Sequence, residues 1–69
     1  MWNAWLFRSK YPPGSSVKII DDGGTFDLTQ RQMIGEIGTV VFIDINNEWV
    51  NVKTDTHQSD FYDSQLEKV

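Results

Sequence analysis

The chain has 69 residues and no cysteine, which leaves room for one small domain and excludes disulfides and thiolate metal sites as reinforcement. With 39% hydrophobic and 13% aromatic residues, it is too apolar for a disordered chain. The formal net charge is −4 and the six cations are scattered, so nucleic acid is a disfavoured partner and a basic protein a favoured one. The lack of cysteine also fits a cytoplasmic protein.

Residues 1–11 are predicted to be an aromatic arm that stands apart from a single domain at 12–69. Trp2 and Trp5 are three positions apart, as on one face of a helix, but so short a segment cannot hold a free helix in water. The arm therefore has to dock, either on the domain core or on a partner. A membrane-surface anchor is a third alternative, which the low positive charge of the arm disfavours. Its apolar run is too short for a membrane span and lacks the basic start of a signal peptide.

The first strand is expected at residues 16–20, after a Pro-Pro-Gly turn. Its alternation directs Val17 and Ile19 inward. Residues 21–34 are predicted to form a long irregular loop that begins with an acidic, glycine-containing turn. We expect this loop to fold back on the core with Phe26, Leu28 and either Met33 or Ile34.

Neither a metal nor a cofactor is expected in this loop. The spacing of its acidic residues does not match a calcium-binding loop, and no Gly-Lys-Ser/Thr follows the two adjacent glycines to make a phosphate cradle.

The segment at residues 36–53 is predicted to be a β-hairpin with a tight turn at Asn46-Asn47, because asparagine tolerates the left-handed backbone that such turns need. The outgoing strand is apolar on both faces. A bulge near Val41-Phe42 would let Val40 and Ile43 both point inward. On the return strand, Trp49 falls on the face opposite Val50 and Val52, hence on the outside.

The C-terminal part predicts a strand at residues 59–62, one helical turn at 63–65 and a short last strand at 66–69 that pairs with the first strand and closes a barrel. His57 is the only histidine, and it lies in a polar loop. Its sequence proximity to Ser59 and Asp60 says nothing about triad geometry. We expect no catalytic residues and no enzyme activity.

The predicted elements together give an all-β fold class: a small five-stranded SH3-like barrel with an N-terminal arm and a 3₁₀ turn before the last strand.

The segments PGSSVKIIDDGGTF, GTVVFID, VNVK and DFYDSQLEKV together resemble the KOW-containing C-terminal domain of NusG-type transcription factors. The resemblance covers about residues 13–69. It implies a KOW-like barrel and, as one possible function, contact with RNA, a ribonucleoprotein or a transcription complex. Such contact would require Lys18, Arg31 and Lys53 on one face near Trp49. Two departures weaken the functional inference: 10 residues separate Gly24 from Gly35, where the family loop is short, and residues 54–58 are polar where the family is apolar.

The leading hypothesis is a non-enzymatic SH3-like adaptor or accessory subunit that binds another protein. Its predicted binding residues are the aromatics Trp49, Phe26 and Tyr62, a second aromatic patch at Trp2 and Trp5, and the acidic residues Asp21, Asp22 and Asp27 that would steer a basic partner. The alternative for Trp49 is a place under the N-terminal arm, and the alternative for the three aspartates is a solvated turn. A further alternative is a small accessory subunit of a photosynthetic or ferredoxin-linked complex, which resembles this chain in length and strand order.

Overall fold

A computed structural model describes residues 4–24 and 27–69, with side chains described from residue 7 onward. Two short helices accompany five strands, and a 3₁₀ turn at Asp63–Gln65 precedes the last strand. The helices are α1 (Ala4–Lys10) and α2 (Leu28–Met33); the strands are β1 (Ser16–Ile19), β2 (Ile37–Asp44), β3 (Trp49–Lys53), β4 (Gln58–Tyr62) and β5 (Leu66–Lys68). The predicted all-β class, its five strands and the 3₁₀ turn are confirmed.

The five strands form one antiparallel sheet in the order β4-β3-β2-β1-β5. The last strand pairs with the first, as the sequence predicts. The sheet is nevertheless open, because no ladder joins the edge strands β4 and β5 among the described residues. The predicted barrel closure is therefore not found. β5 is only three residues long and is taken up by pairing with β1, which leaves both ends of the sheet as edges.

The hairpin of β2 and β3 has the predicted bulge, since the register shifts between Val40 and Phe42. Its turn differs from the prediction. Asp44 and Trp49 are the last ladder pair, so four residues make the turn, and the left-handed residue is Glu48 (φ 61°) instead of an asparagine. The cause is local: the Asp44 carboxylate accepts hydrogen bonds from the backbone N–H and side-chain amide of Asn47, and these bonds stabilise the four-residue turn.

The core lies on the inner face of the sheet. Val17 and Ile19 are fully buried there, as their alternation in β1 predicts, and Ile20 is half-exposed beyond the strand end. Ile43 is partly buried and packs against the core, which confirms the inward direction that the bulge allows. The buried hydrophobic residues are Phe7, Tyr11, Val17, Ile19, Met33, Val40, Val50, Val52, Phe61 and Leu66.

The connection between β1 and β2 is not wholly irregular, which corrects the prediction. Asp27 is the N-cap of α2, since its carboxylate accepts hydrogen bonds from the backbone N–H groups of Thr29 and Gln30. Met33 at the end of the helix is buried, as expected, whereas Leu28 is 69% exposed and Ile34 is 44% exposed. Leu28 stays outside because the cap makes it the first helical residue, on the side away from the core.

Candidate functional site

The outer faces of β2, β3 and β4 form the surface with the largest aromatic content in the described part of the chain. The ladders place Asp44, Trp49 and Tyr62 side by side at the hairpin end of the three strands. Phe42 lies one step farther along, next to Asn51. We call Phe42, Trp49 and Tyr62 the aromatic row.

The aromatic row is an incompletely buried surface. The ring of Phe42 meets the indole of Trp49 edge to face, with centroids 5.8 Å apart and planes at 64°. Tyr62 is the direct cross-strand neighbour of Trp49, at the separation where side chains on adjacent strands touch. Phe42 remains 46% exposed and Tyr62 57% exposed, while Trp49 is half-buried between them. Large, partly exposed rings held on a sheet are typical of interaction surfaces.

A hydrogen-bonded amide network borders the aromatic row along β3 and β4. The Asn51 side chain donates to the Asp60 carboxylate at 2.7 Å and accepts from the Gln58 side-chain amide at 2.6 Å. Asn51 is therefore buried although it lies on the outer face. This network fixes the spacing of the two strands next to the rings, so the aromatic row sits on a pre-organised base.

An open groove of about 330 Å³ adjoins the row at Tyr62. It is lined by Phe7, Glu48, Tyr62, Asp63 and Ser64. Glu48 is exposed in this groove, and no cation lies within ion-pairing distance of it among the described residues. Glu48 is also the one non-glycine residue of the described chain with a positive φ, a conformation that costs a side-chain-bearing residue about 1 kcal/mol. Glu48 therefore combines an unfavourable left-handed backbone with a side chain that lines an open groove.

Asp63 connects the groove to the core. Its carboxylate accepts a hydrogen bond from the buried Tyr11 hydroxyl and another from the Lys10 ammonium at 2.9 Å. These donors favour the ionised form, so the Tyr11 bond first and the Lys10 bond second lower the pKa of Asp63 below its usual value. Burial, with the Asp63 carboxylate adding to it, raises the pKa of Tyr11 above its usual range. The bonds of Lys10 and Tyr11 to Asp63 anchor the C-terminal end of α1 to the 3₁₀ turn.

Of the predicted aromatic residues, the structure brings Trp49 and Tyr62 together. Trp2 and Phe26 lie outside the described residues, and Trp5 belongs to α1 with a side chain outside them. Phe42 was not predicted. The signal for it is the bulge: if Val40 and Ile43 both point inward, the intervening Phe42 has to point outward.

The predicted acidic residues Asp21, Asp22 and Asp27 each have a local structural role. Asp21 and Asp22 accept hydrogen bonds from the backbone N–H groups of the two glycines that follow them, and Asp27 caps α2. The bond from Gly24, and then the nearby Arg31 guanidinium, lower the pKa of Asp22. The loop still lies near the aromatic row, because the Gln65 side chain donates to the Asp21 carbonyl and accepts from the Tyr62 N–H.

Of the three cations that an RNA contact would use, Lys53 lies on the outer face of β3, four positions from Trp49, and the other two lie on other elements. Arg31 forms an ion pair with Asp22 at 3.2 Å. Lys18 lies two strands away from β3, with Glu67 directly opposite it on β5. Opposite charges in such cross-strand positions attract each other and reduce the local positive potential.

The described residues contain no group of three or more His, Cys, Asp or Glu side chains placed to hold a metal ion. Within the same residues, no helix is both long enough and apolar enough to cross a bilayer. His57 lies in the loop before β4, where its ring contacts the Thr56 hydroxyl at 2.9 Å. Comparison with known proteins gives no assignment, since no family model, no curated protein and no solved structure matches this chain.

Proposed function

We propose that this chain is a non-enzymatic, SH3-like protein-binding module, an adaptor or accessory subunit, whose aromatic row holds a basic segment of a partner protein. The observation that carries the proposal is the row itself. Phe42 and Tyr62 keep about half of their surface exposed on a rigid three-stranded base. A small domain with a thin margin of stability gains little from aromatic rings left in water, so a covering partner gives them a role.

Charge around the row supports a basic segment as the ligand. Asp44 is the cross-strand neighbour of Trp49, and its bonds from Asn47 lower its pKa, so it stays ionised. Glu48 lies in the groove that shares Tyr62 with the row. An arginine or lysine over an aromatic face gains cation–π attraction, and a neighbouring carboxylate adds Coulombic attraction. The net charge of −4 attracts the same class of partner at longer range.

The backbone of Glu48 also supports this proposal. A left-handed glutamate is an outlier that a glycine or asparagine would remove at no cost to the turn. A carboxylate kept at such a position is explained if it binds the cation of a partner.

The SH3-like part of the proposal rests on the strand order. Five antiparallel strands with the last one paired to the first, and a 3₁₀ turn before it, follow the order of SH3-like barrels. In such modules the hairpin and the long first loop are neighbours. The Gln65 link between the Asp21 carbonyl and the end of β4 agrees with that arrangement.

Selection from a random-peptide display library on the immobilised, folded protein tests the proposal. We expect enriched peptides to carry arginine or lysine and to lose affinity when that residue is changed to glutamine. Binding should also be lost on the double variant Phe42→Ser, Tyr62→Ser, because both exposed rings are removed.

Leu28→Ser is the matched control, since it removes an apolar side chain that is at least as exposed but lies on α2. Peptides without basic residues, or basic peptides that bind the double variant and the control equally well, would refute the proposal. A folded protein that enriches no peptide at all would refute it too.

A further inference from the structure

Two side-chain amides lie along the free edge of β4. The Gln30 amide N–H donates to the Asp60 carbonyl, and the Gln65 amide oxygen accepts from the Tyr62 N–H at 2.8 Å. The two side chains also bond to each other, because Gln65 Nε2 donates to Gln30 Oε1 at 3.0 Å. We call this pair the amide bridge.

The backbone groups that the amide bridge satisfies are those that a further strand would use. In an antiparallel sheet, alternate residues of an edge strand direct their N–H and C=O away from the sheet. Asp60 and Tyr62 are two positions apart in β4, which pairs with β3 on its other side. The bridge donates an N–H of Gln30 to the Asp60 carbonyl and offers the C=O of Gln65 to the Tyr62 N–H, as a neighbouring strand would do with its backbone.

The amide bridge is held firmly in place. Gln65 is 2% exposed, and its Nε2 also donates to the Asp21 carbonyl at 3.3 Å. Gly23 lies against the amide, so closely that a Cβ there would come within 3.1 Å of Gln65 Cδ and Nε2. Gln30 is fixed by α2, whose N-cap is Asp27. The connection between β1 and β2 therefore brings Gln30 to the edge of β4 and contacts Gln65, which the 3₁₀ turn places there.

The two edge strands of the sheet, β4 and β5, differ in length and in exposed charge. β5 is three residues long and ends with the exposed charged pair Glu67 and Lys68, features that discourage pairing with another strand. β4 is longer, with five residues, and its one charged side chain, Asp60, bonds to Asn51 of the neighbouring strand, so β4 has less of that protection. A longer, less protected edge is a template for β-pairing with another molecule.

We infer that the amide bridge acts as a substitute strand that prevents β4 from pairing with β4 of a second copy of this chain. The function is independent of the aromatic row, because it uses the backbone edge of β4 and not its outer face.

Replacement of Gln30 by methionine tests this inference, since methionine keeps the length and helix preference of the side chain but cannot bond to Asp60 or Gln65. Gln32→Met is the matched control, an exposed glutamine on the same helix. We expect sedimentation velocity to show concentration-dependent dimers for Gln30→Met and a monomer for the wild type and the control. Intermolecular NOEs from Asp60 or Tyr62 should locate the contact at β4.

Amide hydrogen exchange gives a second readout that does not need a dimer. The Tyr62 N–H should be protected in the wild type and exchange roughly fivefold faster or more in Gln30→Met. This change is expected because Gln65, which accepts the Tyr62 N–H, loses its own hydrogen bond to Gln30. Gln30→Ala should show the same faster exchange of the Tyr62 N–H. This second variant removes the amide without introducing a methionine that could disturb the packing.

Folded Gln30 variants that remain monomeric, with unchanged Tyr62 exchange, would overturn the inference. Dimers of the wild type through β4, or variant dimers that form through another surface, would also overturn it.

Discussion

The two faces of β2, β3 and β4 differ in what they do with large side chains. On the inner face, Val50, Val52 and Phe61 are fully buried against the core. On the outer face, the neighbouring Trp49 and Tyr62 point the other way, and Tyr62 keeps 57% of its surface exposed. The apolar core therefore lies on one face, and the exposed ring of Tyr62 on the other face contributes little to it. The same strand alternation thus supplies a core on one side and leaves partly exposed aromatic rings on the other.

The largest expected effect separates the two faces at adjacent residues of β4. Phe61→Ala should lower the free energy of unfolding by about 3–5 kcal/mol, because it leaves a cavity in the core. Tyr62→Ala should change it by less than about 1 kcal/mol, since the ring is already half in water. Urea denaturation followed by circular dichroism measures both values. Equal losses for the two variants would break the distinction between the faces.

A smaller effect is expected where the core meets the groove. Tyr11→Phe keeps the buried ring but removes the hydroxyl that bonds to the Asp63 carboxylate. We expect a loss of about 1.5 kcal/mol, within the range for a hydrogen bond to a charged group. Tyr62→Phe is the control, because its side chain is exposed and no hydrogen bond of its hydroxyl to Asp63 is found among the described residues. Unchanged stability of Tyr11→Phe would remove Asp63 as an anchor of α1.

Acid should destabilise the fold through the same contact. Hydrogen bonds hold the pKa of Asp63 below its unfolded value, as they do for Asp22, Glu36 and Asp44. A lowered folded-state pKa stabilises the protein above the unfolded pKa of about 4, and this contribution is lost as the pH falls through the folded value.

The urea concentration at the unfolding midpoint should therefore decrease as the pH is lowered below about 4. Asp63→Asn should make that decrease smaller. Asp55→Asn, in the exposed loop before β4, serves as the control. A decline that is the same in Asp63→Asn and in the wild type would contradict the assignment of the acid sensitivity to this contact.

The smallest effect has the opposite sign. Glu48→Asn places a residue that tolerates φ of 61° in the turn, and it should raise the free energy of unfolding by up to about 1 kcal/mol. The same change removes a carboxylate from the groove, so affinity for basic peptides should fall. Glu48→Gln separates the two causes, because it removes the charge and keeps the backbone cost. Higher stability without weaker binding would leave the left-handed glutamate without a functional reason.

Sequence patterns predicted what short-range periodicity determines. The alternation of Val17 and Ile19, the bulge after Val40 and the 3₁₀ turn before the last strand all follow from local spacing. The helix α2 was missed although Asp27, followed three residues later by Gln30, is a typical start signal for a helix. The two adjacent glycines and the acidic residues before them predicted a turn, and that turn is present at Gly23 and Gly24.

The amide bridge could not be predicted from the sequence. Gln30 and Gln65 are 35 positions apart, and neither residue type signals an edge contact. Their meeting depends on the length of the β1–β2 connection and on the strand order, which are properties of the whole fold. The aromatic row was predicted in part. Trp49 was assigned outward and Tyr62 was named as a binding residue, but the bulge that turns Phe42 to the same side was applied only to the core.

The most direct test of the account is a map of backbone amide chemical-shift changes when a basic peptide from the display selection is titrated into the protein. We expect the changes to centre on Phe42, Asp44, Trp49 and Tyr62, and to disappear when the arginine or lysine of the peptide is replaced by glutamine. Changes centred on α2 or on β1 and β5, or changes that persist with the neutral peptide, would contradict the claim that the aromatic row holds a basic segment.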